Sequence, residues 1–158
     1  MNNVFHADRF FWFKDDKRMN FKVEPGEDFI LKLHYASGYL HEAHCLFNDI
    51  KLRKNRFVLP IKRFRWELLK DRDTNNIQQV DSILSVTNVF DFELVINNFK
   101  EYPRNISDIW GHHSEIQGIY FSPAEHSIII WGRVFILKLK IIQDIAPVIY
   151  IKDHQELN

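Results

Sequence analysis

Side chains that could do chemistry are concentrated in two short runs, His41-Glu42-Ala43-His44-Cys45 and His112-His113-Ser114-Glu115. Imidazole, thiolate and carboxylate are the usual ligands of zinc and related metals. A fold that brought the runs together could build a site from His41, His44, His112 and Glu115. The spacing is not that of a strong metal motif. A metalloprotease helix needs His-Glu-x-x-His to set both imidazoles one turn apart, and here the second histidine comes one residue early. On a strand, His41 and His44 would face opposite ways. The bland reading puts these histidines in loops or at strand ends.

The same groups could serve general acid–base catalysis, since histidine titrates near neutral pH and burial retunes carboxylates. Nothing in the linear order makes any pair converge. Cys45, the only cysteine, reads more readily as a small buried hydrophobe than as a nucleophile. The five glycines form neither Gly-x-Gly-x-x-Gly nor a Walker pattern, and no serine sits in a nucleophile elbow. No cofactor is expected, and an enzyme is the less favoured class.

The second signal is electrostatic. Lys51 to Arg65 holds Lys51, Arg53, Lys54, Arg56, Lys62, Arg63 and Arg65 with no acid, leaving 14 of the 21 basic side chains and all 21 acidic ones to the rest of the chain. Such segregation inside a neutral protein can mark a docking face. Arg53, Arg56, Arg63 and Arg65 are therefore the expected partner-binding residues. Single-stranded nucleic acid would need bases stacking on rings beside the cations. Alternation sends Phe64 and Trp66 away from Arg63 and Arg65, toward the core, which speaks against nucleic acid. The functional expectation is a non-enzymatic protein-binding module that captures an acidic partner through a basic face, in the manner of an immunity or antitoxin protein. The rival is a small-ligand or metal-dependent β-barrel protein built on the His41, His44 and His112 region.

The elements that must position these groups read as strands. Apolar and polar residues alternate over Phe29 to Tyr35, Ile61 to Leu68 and Phe135 to Ile142, as half-buried strands require. Further short runs at Asn20 to Glu24, Ile83 to Thr87, Val89 to Ile96, Ile116 to Phe121 and Val148 to Lys152 are punctuated by turn residues such as Pro25-Gly26, Lys54-Asn55 and Ser122-Pro123. Two segments admit helix instead: Asp91 to Tyr102, where Val95, Phe99 and Tyr102 fall at helical spacing, and Tyr39 to Phe47. Phe10 to Phe13 reads as a strand covered on both sides.

The expected fold is all-β or strongly β-rich α+β, an antiparallel sandwich or barrel-like sheet with at most one or two short helices. With 158 residues, 46% of them hydrophobic, and no low-complexity linker, residues 1–158 read as a single globular domain able to bury a core. The lone cysteine forbids an intrachain disulfide and fits a reducing, cytoplasmic setting. The most apolar stretch, Ile128 to Ile142, is too short and too charged to span a bilayer, so no membrane partner is expected.

Overall fold

The computed structural model describes residues 18–68, 77–96 and 114–154. Phe10 to Phe13, His112, His113 and the second half of the Asp91 to Tyr102 segment lie outside them. The described residues form ten strands, arranged in two antiparallel sheets, and one α-helix. The strands are β1 Asn20–Val23, β2 His44–Cys45, β3 Lys51–Arg53, β4 Arg56–Phe64, β5 Gln79–Thr87, β6 Val89–Ile96, β7 Ile116–Ser122, β8 Ser127–Gly132, β9 Phe135–Ile141 and β10 Ile149–Asp153. The helix, α1, is Phe29–Leu40. The β-rich antiparallel class expected from the alternation is the class observed.

One expected strand is a helix. Phe29 to Tyr35 alternates over seven residues, yet Phe29, Leu33, Ala36 and Leu40 recur at intervals of four, three and four and pack on the core along one side. That stripe is the helical one. Ile30, Leu31 and Tyr35 stand exposed on the opposite side of α1. Pro25-Gly26-Glu27-Asp28 ends the preceding strand and places acids at the positive end of the helix. Further along, Tyr39 to Phe47 contains the end of α1, β2 and the start of a 3-10 turn at Phe47–Asp49, and Asp91 continues as strand through Ile96.

The larger sheet runs β1-β10-β5-β4-β2, with β3 also paired to β4; the smaller runs β6-β9-β8-β7. β3 and β4 form a hairpin through Lys54 and Asn55, both at positive φ, the backbone of a type I′ turn. The chain passes between sheets at Asn88, another positive-φ residue, whose amide donates to Ala146 O at 3.0 Å. Inward residues of the two sheets, among them Phe57, Leu59, Leu84 and Ile151 facing Ile128, Ile130, Phe135 and Leu137, form one core closed by α1. Burying each such side chain contributes roughly 1.5–3 kcal/mol.

A second seam joins the sheets. β2 pairs with β4 on one side and bridges Glu115 through His44 on the other. Glu42 N donates to Ile116 O at 2.7 Å, and Ile116 N donates to Ala43 O at 2.9 Å. α1 lies against β7, the edge strand of the smaller sheet, and Ser37 Oγ accepts from Ile119 N at 3.2 Å. An edge N–H that would otherwise invite another chain is thereby occupied. No helix among the described residues is long and apolar enough to cross a membrane.

Candidate functional site

The basic run from Lys51 to Arg65 divides between the two faces of the larger sheet. In β4, Phe57, Leu59, Ile61 and Arg63 point inward while Arg56, Val58, Pro60, Lys62 and Phe64 point outward. Arg63 and Arg65 are 0% and 1% exposed. This corrects their expected role, because neither guanidinium reaches the surface to meet a partner. Phe64 and Trp66, expected in the core, are instead half-exposed, their rings tilted against each other at 5.4 Å between centres.

Arg63 is buried because its whole donor set is answered. Nε and Nη2 donate to Asp153 Oδ1 and Oδ2, both at 2.8 Å. Nη1 and Nη2 donate to Glu67 at 3.0 and 2.9 Å, and Nη1 donates again to Phe64 O at 3.0 Å. These bonds use all five guanidinium N–H groups. Asp153 also accepts from Ser82 Oγ at 2.6 Å and from Met19 N at 2.8 Å. Burial alone would raise the carboxyl pKa, but the Arg63 and Ser82 hydrogen bonds, the Arg63 charge and the Met19 amide outweigh it, holding Asp153 below the ordinary range. Burial likewise opposes the Arg63 charge and is overcome by Asp153 and Glu67, so its pKa rises. Arg65 Nη1 donates to Gln78 Oε1 at 2.8 Å. Arg63 thus ties β4 to β10, two strands away, and Arg65 ties the end of β4 to the approach to β5.

The remaining cations of the run lie on the outer face, where other strands join them. The register aligns Lys22, Tyr150, Ser85, Val58 and Lys51 in one row across β1, β10, β5, β4 and β3. A second row holds Asn20, Lys152, Ile83 and Pro60, and a third holds Asp81 and Lys62. Arg53 stands directly opposite Arg56 at the hairpin end. Lys22 and Lys62 have acidic neighbours, Glu24 at 2.7 Å and Asp81 at 3.8 Å. Lys51, Arg53, Lys54, Arg56 and Lys152 have no ion-pair partner among the described residues. Tyr150 lies between cations, with Lys22 Nζ 5.5 Å and the Arg56 guanidinium 5.7 Å from its ring centre. Ile83, 46% exposed, occupies the middle of this face.

The outer face of the smaller sheet is different. Lys138 pairs with Glu125 at 2.9 Å and Lys140 with Asp91 at 3.5 Å, so its cations are balanced locally. Lys22, Lys152, Tyr150 and Ile83 were not among the expected site residues. Their signal was the alternation of Tyr150 and Lys152 with Ile149 and Ile151, which puts an aromatic ring and a cation together on an outward face.

The histidine runs meet at the β2 seam in part. His44 Nε2 is 3.9 Å from Glu115 Oε1, and His44 Nδ1 is 3.4 Å from Ser114 Oγ. His41 lies apart, 3.8 Å from Glu42, with its ring 6.2 Å from that of Trp66 and its carbonyl accepting from Trp66 Nε1 at 2.8 Å. His112 is outside the described residues. No group of three metal-ligating side chains forms among the described ones. Ser114 is 2% exposed, so its hydroxyl is not presented to a substrate beside His44. Cys45 is buried, and burial pushes its thiol pKa up, away from the reactive thiolate.

No family model, curated protein or solved structure matches this chain. The site therefore rests on its own geometry.

Proposed function

We propose that the chain is a non-enzymatic protein-binding module that takes an acidic protein partner on the outer face of its larger sheet, a role suited to an immunity or antitoxin-type protein. The observation that carries the reading is the set of five cations, Lys51, Arg53, Lys54, Arg56 and Lys152, that have no ion-pair partner among the described residues, around the half-buried Tyr150 and the exposed Ile83. An apolar and aromatic centre with a charged rim is the anatomy of a protein interface. Like charges directly opposite in a sheet cost stability, as Arg53 does opposite Arg56. An acidic partner would relieve that repulsion, and complementary charge would speed and orient the encounter.

The size is suitable. Five strands at about 4.8 Å spacing, nine residues long in β4 and β5 and three to five in the others, give a footprint of roughly 500 Å², more than half of the roughly 800 Å² per partner of a standard interface. Capture of the partner from the native cell, with the purified chain as bait, tests the reading. Replacing Lys51, Arg53, Arg56 and Lys152 together by Glu is expected to abolish capture while the fold, followed by circular dichroism, persists. Lys138→Glu and Lys140→Glu on the other sheet are expected to leave capture intact. Unchanged capture by the fourfold variant would remove the proposal.

A further inference from the structure

The outer face of the larger sheet is not flat. A groove of about 580 Å³ crosses the strands beside Ile83, between Leu46 at one end and Lys152 and His154 at the other. The register gives its floor. Lys152 pairs with Ile83, Ile83 pairs with Pro60, and Leu46 N donates to Pro60 O at 3.0 Å, so one row runs across β10, β5, β4 and the end of β2. Apart from Lys152 this row is apolar. Lys62 and Asp81 border it on one side, Lys51 and Tyr150 on the other.

Resting on the docking face proposed above, we infer that this groove seats one acidic, amphipathic α-helix of the protein partner, laid across the strands. The strands' own N–H and C=O groups point sideways to their neighbours, so nothing on the face can satisfy an extended segment's backbone. The occupant must satisfy its own, and an α-helix does so. Three inter-strand spacings make a groove about 14 Å long, which about ten helical residues fill. Apolar side chains one turn apart, about 5.4 Å, then meet Ile83, Pro60 and Leu46 at about 4.8 Å intervals. Acidic residues flanking that stripe meet Lys51 on one side and Lys152 at the end, while on the other side Lys62 is shared with Asp81. Lys51 and Lys152, without an ion-pair partner among the described residues, select acid over base there.

The test uses a fluorescein-labelled helix, constrained by lactam bridges, with leucines on one stripe and glutamates on both flanks. Its twin carries lysine in place of every glutamate. Titration of the full chain, read by anisotropy, is expected to give saturable binding of the glutamate helix that weakens with added salt. The lysine helix is expected to bind at least about tenfold more weakly, and Ile83→Asp and Lys152→Glu each to weaken the glutamate helix about tenfold or more. Ile83 is exposed, so the aspartate is tolerated by the fold, and Lys152→Glu supplies a second variant at a solvated position. Failure of the glutamate helix to bind, equal binding of the two helices, or indifference to both variants would overturn the inference. If partner capture is lost in the fourfold charge reversal yet survives Ile83→Asp, the docking face stands and the helix-in-groove inference falls.

Discussion

Replacing Asp153 by Asn isolates what the buried arginine requires of its surroundings. The asparagine keeps the shape but removes the charge, and one of its two terminal groups becomes a donor facing Arg63, Ser82 or the Met19 amide. In the native chain four hydrogen bonds between 2.6 and 2.8 Å converge on this carboxylate, and both charged partners are fully buried. Adding four charge-assisted bonds one by one would give roughly 6–12 kcal/mol, as much as the whole stability of a typical domain, so the relevant scale is that of breaking a buried pair, about 3–5 kcal/mol. Glu67 still holds one side of the guanidinium, which places the expected loss at the lower end, about 3 kcal/mol. With a urea slope of about 2 kcal/mol per molar, the midpoint falls by about 1.5 M. Equilibrium urea unfolding of both proteins at pH 7 reads this directly. A loss under about 1 kcal/mol would refute the assignment of Arg63 to the fold and reopen it as a surface residue. The same pair sets an acid dependence. Because Asp153 has a folded pKa below its unfolded one, its contribution is complete above the ordinary carboxylate range near pH 4 and is lost as pH falls through the lower folded value. Asp153→Asn should flatten that part of the native chain's acid-stability curve, and an unchanged slope would contradict the account.

Gly132→Ala is expected to destabilise by about 2 kcal/mol or more, since the added methyl would collide with the Glu115 carbonyl and the Phe135 ring; thermal unfolding checks it. Cys45 should react with a thiol reagent at the rate of unfolding rather than on mixing, and a burst of one equivalent in the native protein would show it to be accessible. Ser37→Ala should cost about 1 kcal/mol and raise exchange at the Ile119 amide, measured by hydrogen–deuterium exchange.

The sheets were legible wherever one face of a strand meets oil and the other water, as in β9, where Phe135, Leu137, Leu139 and Ile141 are buried and Lys138 and Lys140 are not. Phe29 to Tyr35 misled because a stripe at helical spacing and an alternating pattern share Phe29 and Leu33, while two exposed apolar residues on α1, Leu31 and Tyr35, completed the false strand face. Ile61 to Arg65 had the right period and the wrong sign. Burying an arginine is costly unless its charge is answered, and the answering Asp153 lies 90 residues away, with no local signal to announce it. The docking face was half legible. Lys51 to Lys62 reads directly from the sequence, whereas Lys22, Tyr150 and Lys152 arrive through pairing of β1 and β10, which only the assembled sheet reveals. The histidine runs showed the reverse: their composition suggested convergence, and the fold brings His44 to Glu115 while leaving His41 beside Trp66.

Lysine footprinting of the complex tests the central claim most directly. The purified chain, alone and bound to its partner, is treated briefly with an acetylating reagent and the modified sites are read by mass spectrometry. Lys51, Lys62 and Lys152 should lose reactivity on binding while Lys138 and Lys140 keep theirs. Protection of Lys138 and Lys140 with Lys51, Lys62 and Lys152 unchanged would place the partner on the opposite sheet and contradict the account.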